Sequence, residues 1–352
     1  MVNRLLVRLS CHTERGQFFG PIFMDFSKLL MISKENNAFN RWLEKSIHRF
    51  PDGYVGARTL KEQHKEISLA NQESKLKHRL LSHRSLVPKL LAVSGLSSIA
   101  RRHVCDIRLN YNDLKIVNLP SSFNGYKLLH ISDPHFNANE QLTDNLIDKI
   151  NQATYDICVL TGDYRYRSFG PLDAVLTGLE RLNSAIDSNI VAILGNHDPL
   201  SVVPEMEALG MNVLLNENML ISKNNESIVL AGVDDPSYSK THDLSKTLSL
   251  NNAPSTDEAV CTLLLAHSPN IIEQASKHGV NAYLCGHTHG GQICLPGGIP
   301  ILKDSTIPRW CIAGKWHYEN MVGYTSVGCG VSVAEARFFC HPEITVHILF
   351  TQ

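Results

Sequence analysis

Tyr126-Lys127-Leu128-Leu129-His130-Ile131-Ser132-Asp133-Pro134-His135 passes from a short apolar run directly into a carboxylate and an imidazole two residues apart. A run of that length ending at turn-forming residues predicts a buried strand, Tyr126 to Ser132. The arrangement returns downstream: Ile157 to Thr161 leads into Gly162-Asp163, Ile190 to Leu194 into Gly195-Asn196-His197-Asp198, Thr262 to Ala266 into His267, and Ala282 to Cys285 into Gly286-His287-Thr288-His289. Further strands are expected at Ser227 to Val233, Gly323 to Val327 and Ile344 to Phe350. Helices are expected near Gln141 to Gln152, Leu172 to Ile186, Val202 to Leu209 and Ile271 to Lys277. This alternation predicts an α/β domain, and such sheets carry ligands at the carboxyl ends of their strands.

The carboxylates, amide and imidazoles at those strand ends are the residue types of a divalent-metal site. Residues two apart on an extended segment share a face, so Asp133 with His135, and His287 with His289, are expected to present paired ligands. Pro134 is expected to keep Ser132 and Asp133 extended. Glycine just before Asp163, Asn196 and His287 is expected to permit tight turns. Oxygen donors with neutral imidazoles suit Mn, Fe or Zn better than Ca.

Other polar residues have competing explanations. Arg165 and Arg167 follow Asp163 and either clamp a phosphate by bidentate hydrogen bonds or solvate a loop. Asp234-Asp235-Pro236 is expected to be a turn, and His130 a core histidine with satisfied nitrogens. Cys285, His287, His289 and Cys294 have the spacing of a structural zinc knot, but that would leave the upstream motifs unexplained.

Composition bounds the rest. The chain has 352 residues, 43% hydrophobic and 19% charged, with a net charge of -1. That balance hides an asymmetry: the first 105 residues hold 18 Lys and Arg against 8 Asp and Glu, leaving 15 against 26 for the remainder. The basic front is either a solvated helical face or a contact for an anionic surface. Nine cysteines without a C-x-x-C pair suggest a reducing compartment. Arg4 and Arg8 break the first apolar residues, and Leu86 to Ala100 is interrupted by Pro88 and Lys89, so neither a signal peptide nor a spanning helix is expected. Residues 1–105 are expected to form a basic, mostly helical or partly disordered segment, with Ile67 to Arg84 as an exposed helix or linker. Residues 106–352 are expected to form the catalytic domain.

The ordered set D-x-H, G-D, G-N-H-D, H and G-H-x-H resembles the calcineurin-like metallophosphoesterase superfamily over about Ser122 to Phe350. The resemblance implies a four-layer α/β/β/α sandwich with two mixed sheets, here with an N-terminal helical appendage. It implies that Asp133, His135, Asp163 and His289 bind one metal, that Asp163, Asn196, His267 and His287 bind the other, and that Asp163 bridges. It implies further that His197 faces the phosphate, donating a proton to the leaving oxygen or stabilising its charge; Asp198 is then expected to orient His197. Gly162-Asp163-Tyr164-Arg165 and Gly195-Asn196-His197-Asp198 depart from the Ser/Thr protein phosphatase pattern.

Phe123 to Asp133, Gly232 to Pro236 and His287 to Ile293 look like the bacterial YaeI/YkuE-type phosphodiesterase subfamily, related to UDP-2,3-diacylglucosamine pyrophosphatases of lipid A biosynthesis. The implied reaction is hydrolysis of a phosphodiester or pyrophosphate by metal-activated hydroxide, with UDP-2,3-diacylglucosamine as a candidate nucleotide-lipid substrate. An anionic membrane surface is a candidate partner for the basic front, which implies a cytoplasmic protein, peripheral at the inner face of the membrane. No specific nucleic acid is expected, because basic residues are not interleaved with aromatics. The alternatives are a general phosphodiesterase or nuclease, and a non-catalytic metal-binding scaffold.

Overall fold

A computed structural model of the chain describes residues 37–74, 93, 95, 97–249, 261–301, 306–332 and 335–352. Its strands are β1 (Arg108–Ile116), β2 (Lys127–Ile131), β3 (Ile157–Leu160), β4 (Ile190–Ala192), β5 (Asn212–Val213), β6 (Glu217–Lys223), β7 (Glu226–Gly232), β8 (Thr262–Leu265), β9 (Ala282–Cys285), β10 (Cys294–Leu295), β11 (Ile299–Pro300), β12 (Gly314–Tyr318), β13 (Met321–Thr325) and β14 (Glu343–Thr351). Two six-stranded sheets result, in the orders β1-β14-β2-β3-β4-β5 and β12-β13-β9-β8-β7-β6, beside a small β10-β11 ribbon. Both sheets are mixed: β2, β3, β4 and β5 run parallel and β14 antiparallel to β2. In the second sheet β7, β8, β9 and β13 run parallel, flanked by antiparallel β6 and β12.

The two-residue period of a strand sorts its side chains between layers. From the first sheet, Leu128, Ile157, Val159 and Val191 join Leu263, Leu265, Ala282 and Leu284 of the second in one buried cluster. Leu264, Ala266, Tyr283 and Cys285 point the other way, into a second cluster with Ile271, Ile272 and Ala275. Leu263 and Leu265 are fully buried, and each contributes about 1.5–3 kcal/mol relative to exposure. Every central strand therefore needs apolar residues on both faces, which is why the sequence shows continuous apolar runs.

The described residues also form eight α-helices. In chain order they are α1 (Asn37–Ser46), α2 (Tyr54–Ser74), α3 (Ser97–Cys105), α4 (Glu140–Ile150), α5 (Asp173–Ala185), α6 (Val203–Ala208), α7 (Leu244–Thr247) and α8 (Ile272–Lys277). Helix α4 begins where the Asn139 side chain accepts from Gln141 N, and buries Leu142, Leu146 and Ile150 along one stripe. Helix α5 buries Val175, Leu179 and Leu182 in the same way. The architecture is the calcineurin-like sandwich of two mixed sheets between helical layers.

The chain divides into two compact units between Gln63 and His64. In the first, Phe39 stacks on Trp42 at 5.7 Å, Phe50 stacks on Tyr54 at 5.1 Å, and Arg58 pairs with Glu62 at 3.0 Å. The second contains both sheets. Much of the expected apolar stretch Leu86 to Ala100, residues 75–84 of the expected polar helix or linker, and the front residues 1–36 lie outside the described residues. Among the described residues no helix is long and apolar enough to cross a membrane.

Candidate metal centre

The ends of β2, β3, β4, β8 and β9 converge, and the expected residues converge with them. Two groups form: Asp133 with His135 and His289, and Asp163 with His267 and His287, the ligand atoms of each group lying within 4.8 Å of one another. Asn196 joins the second, its Oδ1 lying 3.0 Å from His267 Nε2 and 2.9 Å from His287 Nδ1. The two groups meet where His135 Nε2 lies 3.2 Å from His289 Nε2 and 3.8 Å from Asp163 Oδ2. Asp163 Oδ2 also lies 3.4 Å from His267 Nε2 and 3.9 Å from His197 Nε2, so one carboxylate oxygen faces both groups.

The backbone achieves this differently from the extended geometry expected of it. Asp133, His135, Asp163, His287 and His289 all have positive φ, between 47° and 71°. Side chains with a Cβ rarely adopt that region, and local strain of this kind clusters at functional sites. The paired ligands are thus aimed by left-handed kinks just past the strand ends, and Pro134 does not hold Asp133 extended. Main-chain bonds continue past the β2–β3 ladder and fix the kinks, with Asp133 N donating to Gly162 O at 3.0 Å and His135 N to Asp163 O at 3.1 Å.

The three glycines also act in two ways. Gly162 has a φ of 90°, as a tight turn requires. At Gly195 and Gly286 the reason is close approach: a Cβ on Gly195 would overlap the Asp163 carboxylate and main-chain N, and one on Gly286 would overlap Ser132 Oγ and Asp133 Oδ2.

Each central carboxylate has one oxygen fastened and one presented. Asp133 Oδ2 accepts from Ser132 Oγ at 2.5 Å and His287 N at 3.0 Å, whereas the buried Asp133 Oδ1 accepts no hydrogen bond of good geometry and is faced by His289 Nε2 at 3.3 Å. Asp163 Oδ1 accepts from His197 N at 2.8 Å, leaving Oδ2 toward the imidazoles. A buried carboxylate oxygen without a well-aligned donor is costly unless a cation meets it, so this donor set fits a metal. Two imidazoles are oriented for the same purpose: His135 Nδ1 donates to Arg165 O and His267 Nδ1 to Thr161 O, both at 2.8 Å, leaving Nε2 of each as the inward atom. His289 differs, its Nδ1 facing a donor, Arg337 Nη2, at 3.2 Å.

Electrostatics follow from burial and crowding. Burial alone raises a carboxyl's pKa, but the facing imidazoles overcome it and hold Asp133 and Asp163 below the ordinary carboxylate range. His267 is pushed up to about 10, because Asp163, Asp133 and Asp235 outweigh its burial. Burial lowers His135 and His287. Burial also holds the His197 imidazole well below its usual range, against the pull of Asp163. A cation bound among these carboxylates and imidazoles would displace the protons they share, so its affinity would rise with pH.

Several expectations for the surrounding residues need correction or extension. Asp198 is buried, but its carboxylate is turned onto four main-chain donors instead of His197: Asp163 N at 2.7 Å, Gly195 N at 2.8 Å, Tyr164 N at 2.9 Å and Arg165 N at 3.1 Å. The partner of His197 Nδ1 is Ser168 Oγ at 3.2 Å, a residue with no sequence signal of its own. The Arg165 guanidinium is directed at His197 O at 3.1 Å, Gly170 O at 3.4 Å and Glu66 Oε1 at 3.5 Å. Arg167 is exposed, over the Phe169 ring at 5.7 Å.

Arg337 is a buried neighbour that motif spacing did not reveal, its Nη2 donating to Gly330 O at 2.6 Å, Val327 O at 2.8 Å and Gly328 O at 3.0 Å. Cys285 Sγ faces Thr325 Oγ1 at 3.3 Å in the core, away from its neighbouring histidines, which removes the zinc-knot alternative. Asp235 is a turn residue, accepting from Ser237 N at 2.8 Å and Ser239 N at 2.6 Å. His130 is a satisfied core histidine, within 3.3 Å of His347 Nε2 and 2.9 Å of Thr161 Oγ1.

Comparison with known proteins agrees with this geometry. The calcineurin-like phosphoesterase family model matches residues 126–291, which include every motif above. The metallophosphoesterase YkuE of Bacillus subtilis (strain 168) is 31% identical over 259 residues, covering 69% of this chain and 85% of the relative. YkoQ of the same organism is 28% identical over 260 residues, 70% and 92% of the two chains. Phosphodiesterase YaeI of Escherichia coli (strain K12) is 26% identical over 238 residues, 63% and 81%. With two metal-type ligand clusters at its strand ends and these relatives, the chain belongs to the calcineurin-like metallophosphoesterase family and is a metal-dependent hydrolase of the YaeI/YkuE type.

Proposed function

We propose that this protein hydrolyses a phosphodiester or pyrophosphate bond with two divalent cations. One would be held by Asp133, His135, Asp163 and His289, the other by Asp163, Asn196, His267 and His287. The observation that carries this reading is the presentation of Asp133 Oδ1 and Asp163 Oδ2 to imidazoles while their partner oxygens are fastened to the protein. When bound, such cations supply Lewis-acid activation of water and stabilise the charge on attacking and leaving oxygens. The oxygen and imidazole donors suit Mn, Fe or Zn.

His197 acts from the side. With Ser168 Oγ donating to Nδ1, its Nε2 carries the proton and serves the leaving oxygen. We assign Asp198 and Arg165 to holding the backbone of the loops that carry Asp163 and His197, and Arg167 to the loop surface. The catalytic domain proper spans 106–352, preceded by a basic appendage of residues 1–105.

UDP-2,3-diacylglucosamine is the candidate substrate, supported by the subfamily motifs and by the excess of Lys and Arg in the first 105 residues, which suits an anionic membrane surface at the cytoplasmic face. A product assay decides: with Mn²⁺ added, the protein is offered UDP-2,3-diacylglucosamine and bis-p-nitrophenyl phosphate, with Asp163→Asn as control. Release of UMP from the lipid supports the specific substrate. Turnover of the simple diester alone removes it, and equal turnover by Asp163→Asn overturns the metal-dependent site.

A further inference from the structure

Helix α2 lies well before the region matched by the family, residues 126–291, yet two of its consecutive side chains reach the catalytic loop. Lys65 is buried, its Nζ donates to the main-chain carbonyl of Asn196, and it lies 4.7 Å from the centre of the Tyr238 ring. The next residue, Glu66, pairs with Arg165 Nη2 at 3.5 Å. Arg165 Nε in turn donates to His197 O at 3.1 Å. Two successive carbonyls of the Asn196-His197 segment are therefore held by cations, one directly from α2 and one through an arginine that α2 holds.

Burying a lysine is costly, and a buried ammonium placed on a carbonyl of the segment presenting an amide ligand and an acid is not surface decoration. A charge-assisted bond to a main-chain carbonyl is short and directional. It sets the plane of the peptide joining Asn196 to His197, and with it the direction of the His197 ring.

We propose that Lys65 is a positioning residue for His197, so that the segment ahead of the family domain supplies a working part of the active site. This rests on the role given to His197 above. Lys65 acts through the Asn196 carbonyl, and Glu66 reinforces it through Arg165.

The test uses the full chain loaded with Mn²⁺ and aryl phosphodiesters of differing leaving group, comparing K65M, K65R and H197A with the double variant K65M/H197A. The expected result is that K65M keeps two metals per chain and an unchanged KM but loses roughly tenfold in kcat, as small misplacements of reacting groups do. The loss is larger for poorer leaving groups, and K65R restores most of it. In the H197A background, K65M should cost less than about twofold, because residues acting as one unit are not additive.

Unchanged kcat in K65M, loss of metal in K65M, or a full tenfold cost retained in the H197A background each overturns the proposal. A wild-type protein that is loaded but inactive, or an H197A variant as active as wild type, overturns the reading of His197 and this proposal with it.

Discussion

Replacing Asp198 with Asn separates two roles that sequence and structure assign differently. The carboxylate accepts from Asp163 N and Gly195 N through Oδ2 at 2.7 and 2.8 Å, and from Tyr164 N and Arg165 N through Oδ1 at 2.9 and 3.1 Å. In either orientation an Asn amide points its NH₂ at two of those donors. Two buried N–H groups then lose their acceptor, each costing about 1–3 kcal/mol, so the variant should be less stable by about 2–6 kcal/mol.

The loss falls on the loop that carries Asp163. Urea unfolding followed by circular dichroism should therefore show a midpoint lowered by about 0.7–2 M, for a slope near 3 kcal/mol/M, and elemental analysis should show fewer than two metals per chain. If Asp198 instead served to set the His197 tautomer, kcat would fall while stability and metal content stayed at wild-type values. A midpoint within about 0.2 M of wild type, with full metal occupancy, would refute the backbone role.

Three further outcomes are expected. Gly286→Ala, whose Cβ would overlap Ser132 Oγ and Asp133 Oδ2, should bind at most one metal per chain by elemental analysis; two metals and normal turnover would show that the close approach is not needed. His197→Ala should keep both metals while losing about 10²–10⁴-fold in turnover, as loss of a general acid does, and an empty metal site in that variant would remove its separate role. Burial lowers His130 to about 4, with Asp133 opposing, and lowers His347 well below its ordinary value. Both are neutral in the folded protein and take up protons near pH 6.5 when unfolded. Unfolding therefore takes up protons below about pH 6.5, for His130 down to about pH 4, and stability is lost as the pH falls through that window, by about 1.4 kcal/mol per pH unit per histidine. His130→Gln should flatten that slope in acid unfolding curves, and an unchanged slope would show the histidine is not buried neutral.

The candidate ligands are legible because they stand at the ends of continuous apolar runs, and those runs form β2, β3, β4, β8 and β9 within a residue or two. What escaped were strands whose pairing, not composition, makes them strands. Arg108–Ile116 carries Arg, Asn, Asp and Lys on an edge, and is held by parallel pairing along its whole length with β14. Glu217–Lys223 and Gly314–Tyr318 are likewise the outer members of their sheet, half solvated and paired on one side.

At the site, residue identity was readable but direction was not. The positive φ of Asp133 and His135 contradicts the alternation a strand would impose, and nothing local in the sequence marks it. Asp198 was misassigned because its neighbour in sequence, His197, is not its neighbour in hydrogen bonding. Lys65, Ser168 and Arg337 are single polar residues far along the chain from the motifs they support, and only folding brings them there.

The central claim is that two cations share Asp163. Crystals of the protein loaded with Mn²⁺, measured across the manganese absorption edge, test it directly. The account predicts two anomalous peaks about 3.5–4 Å apart, one bounded by Asp133, His135 and His289, the other by Asn196, His267 and His287, with Asp163 Oδ2 between them. A single peak, or two peaks with Asp163 bound to only one, would contradict it.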